Sequence, residues 1–316
     1  MFQQLPVPAL LSALPALLWL AAGPAGAAEY ATACYADPAA QCYRVVEKRG
    51  RTLGAIHRPH RYKPLRRLTG AGEFERAWSA SPGYVLAGLA HAAYLPEAEI
   101  AAMVTLFGGQ SRYFDDRGRQ AFLAVWPERA VLAFRGTQSL AEIRDMRDNL
   151  RADRVPFHGS RAHRGFKEAA TELWDTFDLG AALTAMAAAN PGRRLYVTGH
   201  SLGGAMAVIA AMLFPFDALV TFGQPMAGTD IAPAIAPGVR YLRVVNGADN
   251  VTTLPPAVLG YNHAGEVVRL KDEAGPSAAF GITFINTDHS IINYTEVLRR
   301  NPAALPPTAL LPAAAD

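Results

Sequence analysis

A chain of 316 residues, 51% hydrophobic and 18% charged, has material for one large packed domain and too few charges for wholesale disorder. Two cysteines exclude a zinc or iron–sulfur site built on thiolates alone, and the eight scattered histidines show no HExxH pairing, so no metal is expected. The net charge of +3 is unevenly spread: residues 44–67 carry nine Lys/Arg against the single acid Glu47, which leaves the remainder net acidic. That basic stretch has few aromatics and no recognition-helix or RNP pattern. It reads as a solvated face, with contact to an anionic surface as the alternative, and nucleic acid is not an expected partner.

In chain order, residues 5–22 are uncharged and apolar and run into Ala25-Gly26-Ala27, a small-x-small cleavage pattern. Residues 1–27 therefore read as a secretory signal peptide. Pro8 and Pro15 argue against a retained spanning helix, and no later segment approaches the roughly 18 apolar residues such a helix needs. The expectation is an exported protein, secreted or held in the periplasm or cell envelope. Residues 28–80 form a basic N-terminal segment in which Cys34 and Cys42 are close enough to bridge in an oxidising compartment, two reduced thiols being the alternative.

Ser81-Pro82, with Ser as N-cap and Pro at the first helical position, opens an apolar helix to Tyr94, and the main domain is taken as 81–300. Residues 112–135 read as a β-meander, with strands at 120–126 and 130–135. A helical pattern covers 166–179, followed by an Ala-rich helix and a stop at Asn190-Pro191-Gly192. Strands at 194–198, 218–222, 240–246 and 282–286 then alternate with helices at 202–214 and 291–299, which argues for an α/β fold with a mostly parallel central sheet flanked by helices. The Pro/Ala-rich residues 301–316 read as a frayed tail.

The sharpest local signal is Gly199-His200-Ser201-Leu202-Gly203-Gly204, between the strand-like 195–198 and the helix-prone 205–210. Strand, tight turn and helix are the context of a nucleophile elbow, in which small residues two positions either side of the serine avoid collision. A Gly-rich turn that merely packs tightly is the alternative. A serine hydroxyl needs a base, and the base needs a carboxylate to hold its tautomer. Only His263 and His289 follow Ser201. His289 stands between the last strand and the last helix, where a base reaches the sheet edge, whereas His263 lies in a Tyr-Asn-His-Ala-Gly turn and reads as a surface histidine.

Seven acids lie between Ser201 and His289. Asp249 follows the strand 241–245 in a Gly-Ala-Asp-Asn turn, at the edge where functional loops of α/β sheets gather, although an ordinary turn aspartate would look the same. Asp217 precedes its strand and belongs to the opposite edge. Asp288 adjoins the base and reads as a helix cap or ion-pair partner. An oxyanion needs donors, worth roughly 3–4 kcal/mol each. The N–H of Leu202 is one candidate and Thr137, after the strand ending in Phe134-Arg135-Gly136, is the other.

With these pieces placed, residues 84–299 resemble the class 3 lipase family, the fungal-lipase-like α/β-hydrolases. The resemblance rests on Phe134-Arg135-Gly136-Thr137, His163-Arg164-Gly165-Phe166, the elbow 199–204, Thr221-Phe222-Gly223-Gln224-Pro225, Asp249 with Leu254-Pro255-Pro256, and His289 with Tyr294. It implies an α/β-hydrolase fold, a Ser201–Asp249–His289 triad, an oxyanion hole from Thr137 and Leu202, a lid after Thr137 and no cofactor. The implied substrates are lipid or other hydrophobic esters, met at a transient lipid contact. Phospholipase A-type and short-chain esterase activities fall within the same resemblance, and a catalytically silent lipid- or anionic-surface-binding protein is the rival from another class. Two positions depart from the pattern: residues 138–150 make a short, polar candidate lid with Met146 where tryptophan is common, and Asn250 follows the acid where proline is common.

Overall fold

The computed structural model describes residues 43–48, 51–57, 63–137, 153–270 and 287–311, the first two stretches as backbone only. The candidate signal peptide, Cys34 and Cys42, the candidate lid and the strand expected at 282–286 lie outside the described residues. Within the basic stretch, β1 (Tyr43–Lys48) and β2 (Arg51–His57) pair as an antiparallel hairpin with a register irregularity at Val46/Glu47.

The main sheet has seven strands in the order β12-β11-β9-β8-β5-β4-β3. These are β3 (Gln110–Asp116), β4 (Arg119–Val125), β5 (Arg129–Phe134), β8 (Arg194–His200), β9 (Ala218–Phe222), β11 (Arg240–Asn246) and β12 (Glu266–Leu270). From β5 to β12 every pairing is parallel; β3-β4-β5 is the antiparallel meander expected from sequence. A separate three-stranded sheet joins β6 (Arg154–Phe157), β7 (Ser160–His163) and β10 (Gly228–Thr229).

Helices cover both faces: α1 (Ala71–Ala80), α2 (Pro82–Ala92), α3 (Glu97–Leu106) and α7 (Ile291–Arg300) on one, α4 (Arg164–Thr176), α5 (Leu179–Ala189) and α6 (Leu202–Leu213) on the other. Alternation along the strands divides the core accordingly. Phe122, Ala124, Val131, Ala133, Val220 and Phe222 pack with α1–α3 and α7, while Ala121, Leu123, Leu132, Phe134, Val197 and Leu219 pack with α4–α6. Strands buried on both sides read as continuous apolar runs, which is why β5 and β9 are legible. The helical pattern 166–179 divides at Asp178, whose φ of +47° separates α4 from α5.

Three expectations are corrected. Pro82 does occupy the first turn of α2, but Ser81 makes no side-chain cap bond. The packed body is wider than 81–300 at its start: Phe74 on α1 is stacked between Phe107 and Trp126 at 5.0 and 4.7 Å, and Glu75 takes a bidentate pair of hydrogen bonds from Arg129 of β5 at 2.7 and 2.8 Å. Nor is 301–311 frayed. Leu305 and Leu310 are buried in the α1–α3 cluster, Arg240 Nε donates to the Ala309 carbonyl at 3.0 Å, and a Cβ on Gly83 would strike Leu305. Composition suggested a tail because apolar residues spaced between prolines carry neither helix nor strand periodicity.

Leu305→Ala should therefore cost about 3 kcal/mol, the loss of a fully buried leucine, read as a lower midpoint in urea unfolding; a free tail would show no change.

Candidate active site

The site forms at the C-terminal edge of the parallel strands. β8 ends at His200 and α6 starts at Leu202, so a single residue makes the reversal, and Ser201 makes it at φ +58°, ψ −127°. That conformation costs a non-glycine residue on the order of 1–3 kcal/mol and must be held from outside. The neighbours hold it by close approach. A Cβ on Gly199 would collide with the Gly203 backbone, and one on Gly203 with the carbonyl of Phe134 on β5. Ser201 N donates to Phe222 O at 3.0 Å, tying the elbow to β9.

The three residues expected to act together are brought together. His289 Nε2 lies 3.0 Å from Ser201 Oγ, and His289 Nδ1 lies 3.0 and 2.9 Å from the two carboxylate oxygens of Asp249. All three are buried. Asp249 opens a 3-10 turn, Asn250–Thr253, and accepts from Val251 N at 3.0 Å, so the turn forms with asparagine at 250 in place of proline. Tyr294 on α7 donates to Asp249 Oδ2 at 2.6 Å and accepts from Asn246 N at 3.0 Å. With the bond to Nδ1 taken by Asp249, the imidazole carries its proton there and presents Nε2 to the serine as acceptor.

Asp288 is bonded to the loop that carries Asp249. Its carboxylate accepts from Ala248 N at 2.8 Å and its carbonyl from Asn246 Nδ2 at 3.1 Å, so the loop bearing the base is fastened to the loop bearing the acid. Sequence reasoning missed this role, because a partner 40 positions away leaves no local signal. Gly223, at φ +57°, closes the other side: a Cβ there would sit 2.7 Å from Asp249 Oδ2 and 2.9 Å from His289 Nδ1. The next residue, Gln224, is a buried hub that accepts from Thr221 and Tyr241 at 2.7 Å each and donates to Pro225 O at 3.0 Å. The Thr-Phe-Gly-Gln-Pro segment is thus a wall built against the acid–base pair.

Leu202 is the first residue of α6, where an N–H has no intrahelical acceptor. Thr137 is buried and its hydroxyl has no partner among the described residues. Both border a cleft of about 500 Å³ whose lining also includes Phe166, Ala169, Met206, Arg117, Arg119 and Arg135. His163 of the His-Arg-Gly-Phe segment caps α4, accepting from Phe166 N at 3.4 Å while its ring stacks on Phe166 at 4.1 Å. Asp217 lies at the opposite edge of the sheet, accepting from Leu195 N and pairing with Arg194.

A seven-stranded, mostly parallel sheet with a serine elbow, an acid after a later strand and a histidine after the last defines the α/β-hydrolase fold class. Solved structures agree on the fold: the native propeptide complex of Rhizomucor miehei lipase matches with a TM-score of 0.52 at 23% identity, over 80% of this chain and 86% of that one. The lipase of Rhizopus microsporus var. chinensis matches at 0.50 and 22%, over 65% and 77%. Within that class, residues 131–259, less than half of the chain, match the model of the lipase (class 3) family. Among relatives, a secreted mono- and diacylglycerol lipase 1 of Fusarium solani is 43% identical over 113 residues, covering 33% of each chain. A lipase of Rhizomucor miehei is 34% identical over 158 residues, 45% of this chain and 43% of that one. The matches therefore span less than half the length of these curated relatives.

The second histidine is not a surface residue. His263 is half-buried and donates from Nε2 to Thr252 O at 2.7 Å, under the turn that carries Asp249. Burial brings its pKa down from 6.5 to about 4. Between those values the unfolded chain takes up a proton that the folded chain refuses, so stability is unaffected above pH 6.5 and falls as pH drops toward 4, by about 3 kcal/mol at most. His263→Gln keeps a donor for Thr252 and removes the titration. The difference in melting temperature between pH 7 and pH 4.5 should be smaller in this variant than in the parent.

Proposed function

We propose that the chain is an exported serine carboxylester hydrolase of lipase type, acting on lipid or other hydrophobic esters through an acyl-enzyme, with Ser201, His289 and Asp249 as its triad. The observation that carries this reading is the unbroken hydrogen-bond line from Ser201 Oγ through His289 to Asp249, at 3.0 and 2.9 Å, beside the Thr137 hydroxyl, which has no partner among the described residues. Relatives named as lipases support the reaction class, and two of them, named as secreted, support export.

In this reading Ser201 Oγ attacks the ester carbonyl as its proton passes to His289 Nε2, and Asp249 stabilises the imidazolium through Nδ1. The oxyanion accepts from Leu202 N–H and from Thr137. Collapse expels the alcohol, which takes the proton from His289. Water then attacks the acyl-serine as His289 takes a proton from it, and His289 returns that proton to Ser201 as the carboxylic acid leaves. No step calls for a cofactor.

Contact with a lipid surface is supported by the segment that leaves the acid turn. After Leu254-Pro255-Pro256 the 3-10 turn Ala257–Leu259 holds Val258 at 90% and Leu259 at 46% exposure, two adjacent aliphatic side chains in water. A phospholipase A-type activity is a second reading, favoured by the cleft beside the oxyanion donors. Arg117, Arg119 and Arg135 are among the residues that line it, and Arg135 donates only to Gln120 and to the Gly118 carbonyl among the described residues.

A nitrophenyl ester series from butyrate to palmitate, with phosphatidylglycerol as a further substrate, tests the reaction. Ser201→Ala should lower turnover by about four orders of magnitude. Wild type and variant equally inert on every ester would leave the silent binding protein as the better reading. For the surface contact, Val258→Ser with Leu259→Ser should weaken binding to an emulsion about tenfold and leave hydrolysis of dissolved nitrophenyl butyrate unchanged; unchanged emulsion binding would remove the contact.

A further inference from the structure

His200, the residue before the elbow serine, is given no part in the chemistry above, yet its buried ring touches the base. Its Nε2 lies 2.7 Å from the backbone carbonyl of His289, its Nδ1 2.8 Å from the Tyr94 hydroxyl, and its ring centroid 4.6 Å from that of His289. A carbonyl only accepts, so Nε2 carries the proton. The neighbouring ring must become a cation during catalysis, and a second buried cation at that distance would oppose it. His200 is therefore neutral, Nδ1 is an acceptor, and Tyr94 donates to it. Tyr94 is itself fixed at the end of α2 against the strand that leads to Thr137, since a Cβ on Gly136 would strike both its hydroxyl and the His200 carbonyl.

We propose that Tyr94 and His200 form a positioning pair for the proposed hydrolysis: Tyr94 selects the Nε2–H tautomer of His200, and that N–H fixes the His289 backbone so that the imidazole stays between Ser201 and Asp249. The need is local. His289 sits in a short 3-10 turn, Thr287–His289, and its backbone carbonyl is anchored by this contact with the elbow, while the carbonyl before it is anchored by Asn246. The pair links the oxyanion loop, the elbow and the base loop, so one displacement reaches all three.

The inference rests on the hydrolase reading, and wild-type turnover of dissolved nitrophenyl butyrate with loss in Ser201→Ala establishes that reading first. In the same assay His200→Leu should lower kcat about 100-fold with KM nearly unchanged, the cost of a base displaced by about an ångström. His200→Gln, which offers an amide N–H where Nε2 stood, should recover kcat to within about fivefold of wild type. Tyr94→Phe should lower kcat about tenfold, again with KM unchanged. Melting curves control for folding, and if His200→Leu does not fold the Tyr94→Phe result decides alone. Turnover by His200→Leu within about threefold of wild type, equal losses in the Gln and Leu variants, or an unaffected Tyr94→Phe would each overturn the proposal while leaving the triad intact.

Discussion

Everything at this site depends on one backbone conformation, the positive φ of Ser201. A serine that turned less sharply would bury its hydroxyl between β8 and α6, so the side chain reaches the edge of the sheet only because the chain reverses in one residue. Such a turn is not stable on its own. It is held because Gly199 and Gly203 let the first turn of α6 press against both β8 and β5, and because the Ser201 amide is bonded to β9. Strand order β9-β8-β5 is thus what makes the elbow possible: the serine strand is central, with a parallel neighbour on each side to receive these contacts.

The acid and base reach the elbow from later segments and face a different difficulty, since each lies on a loop. Their relative position is set by a small polar network in which each buried donor has an acceptor. Asp249 takes Val251 N–H, the Tyr294 hydroxyl and His289 Nδ1–H, while Asp288 takes Ala248 N–H. In a site from which water is excluded such bonds are strong and an unmade one is costly, so the network has one satisfied arrangement. Gly223 adds a steric limit, with no room for even a methyl group beside the carboxylate.

The division between what sequence reveals and what it hides follows from range. The elbow, the strands β8, β9 and β11, and the residues of the proposed triad announce themselves through local pattern: a glycine spacing, apolar runs, an aspartate just past a strand end and a histidine just before a helix. The edge strand β12 alternates poorly and was not foreseen, and neither were α1, α3 and the β6-β7-β10 sheet, whose elements are short or weakly patterned. Leu305 and Leu310 looked like parts of a tail because their burial comes from α1 and α2, more than 200 positions away in sequence. His263 and Asp288 were misjudged for the same reason, since each is defined by a backbone group in another loop.

Rigidity at the centre has a consequence for specificity. If Ser201, His289 and Asp249 act as proposed, fixed by backbone contacts and satisfied bonds, substrate choice has to be made by groups that can differ without disturbing them. In this chain those groups occupy two places: the arginine-lined cleft beside Thr137 and Leu202, and the aliphatic turn at Val258 and Leu259 beyond the acid. Neither contributes a bond to the network around Asp249 and His289. On the proposed hydrolase reading the first would present cations beside the scissile ester and the second apolar surface to whatever holds it, requirements that an amphiphile with a charged head and a hydrocarbon body meets at once.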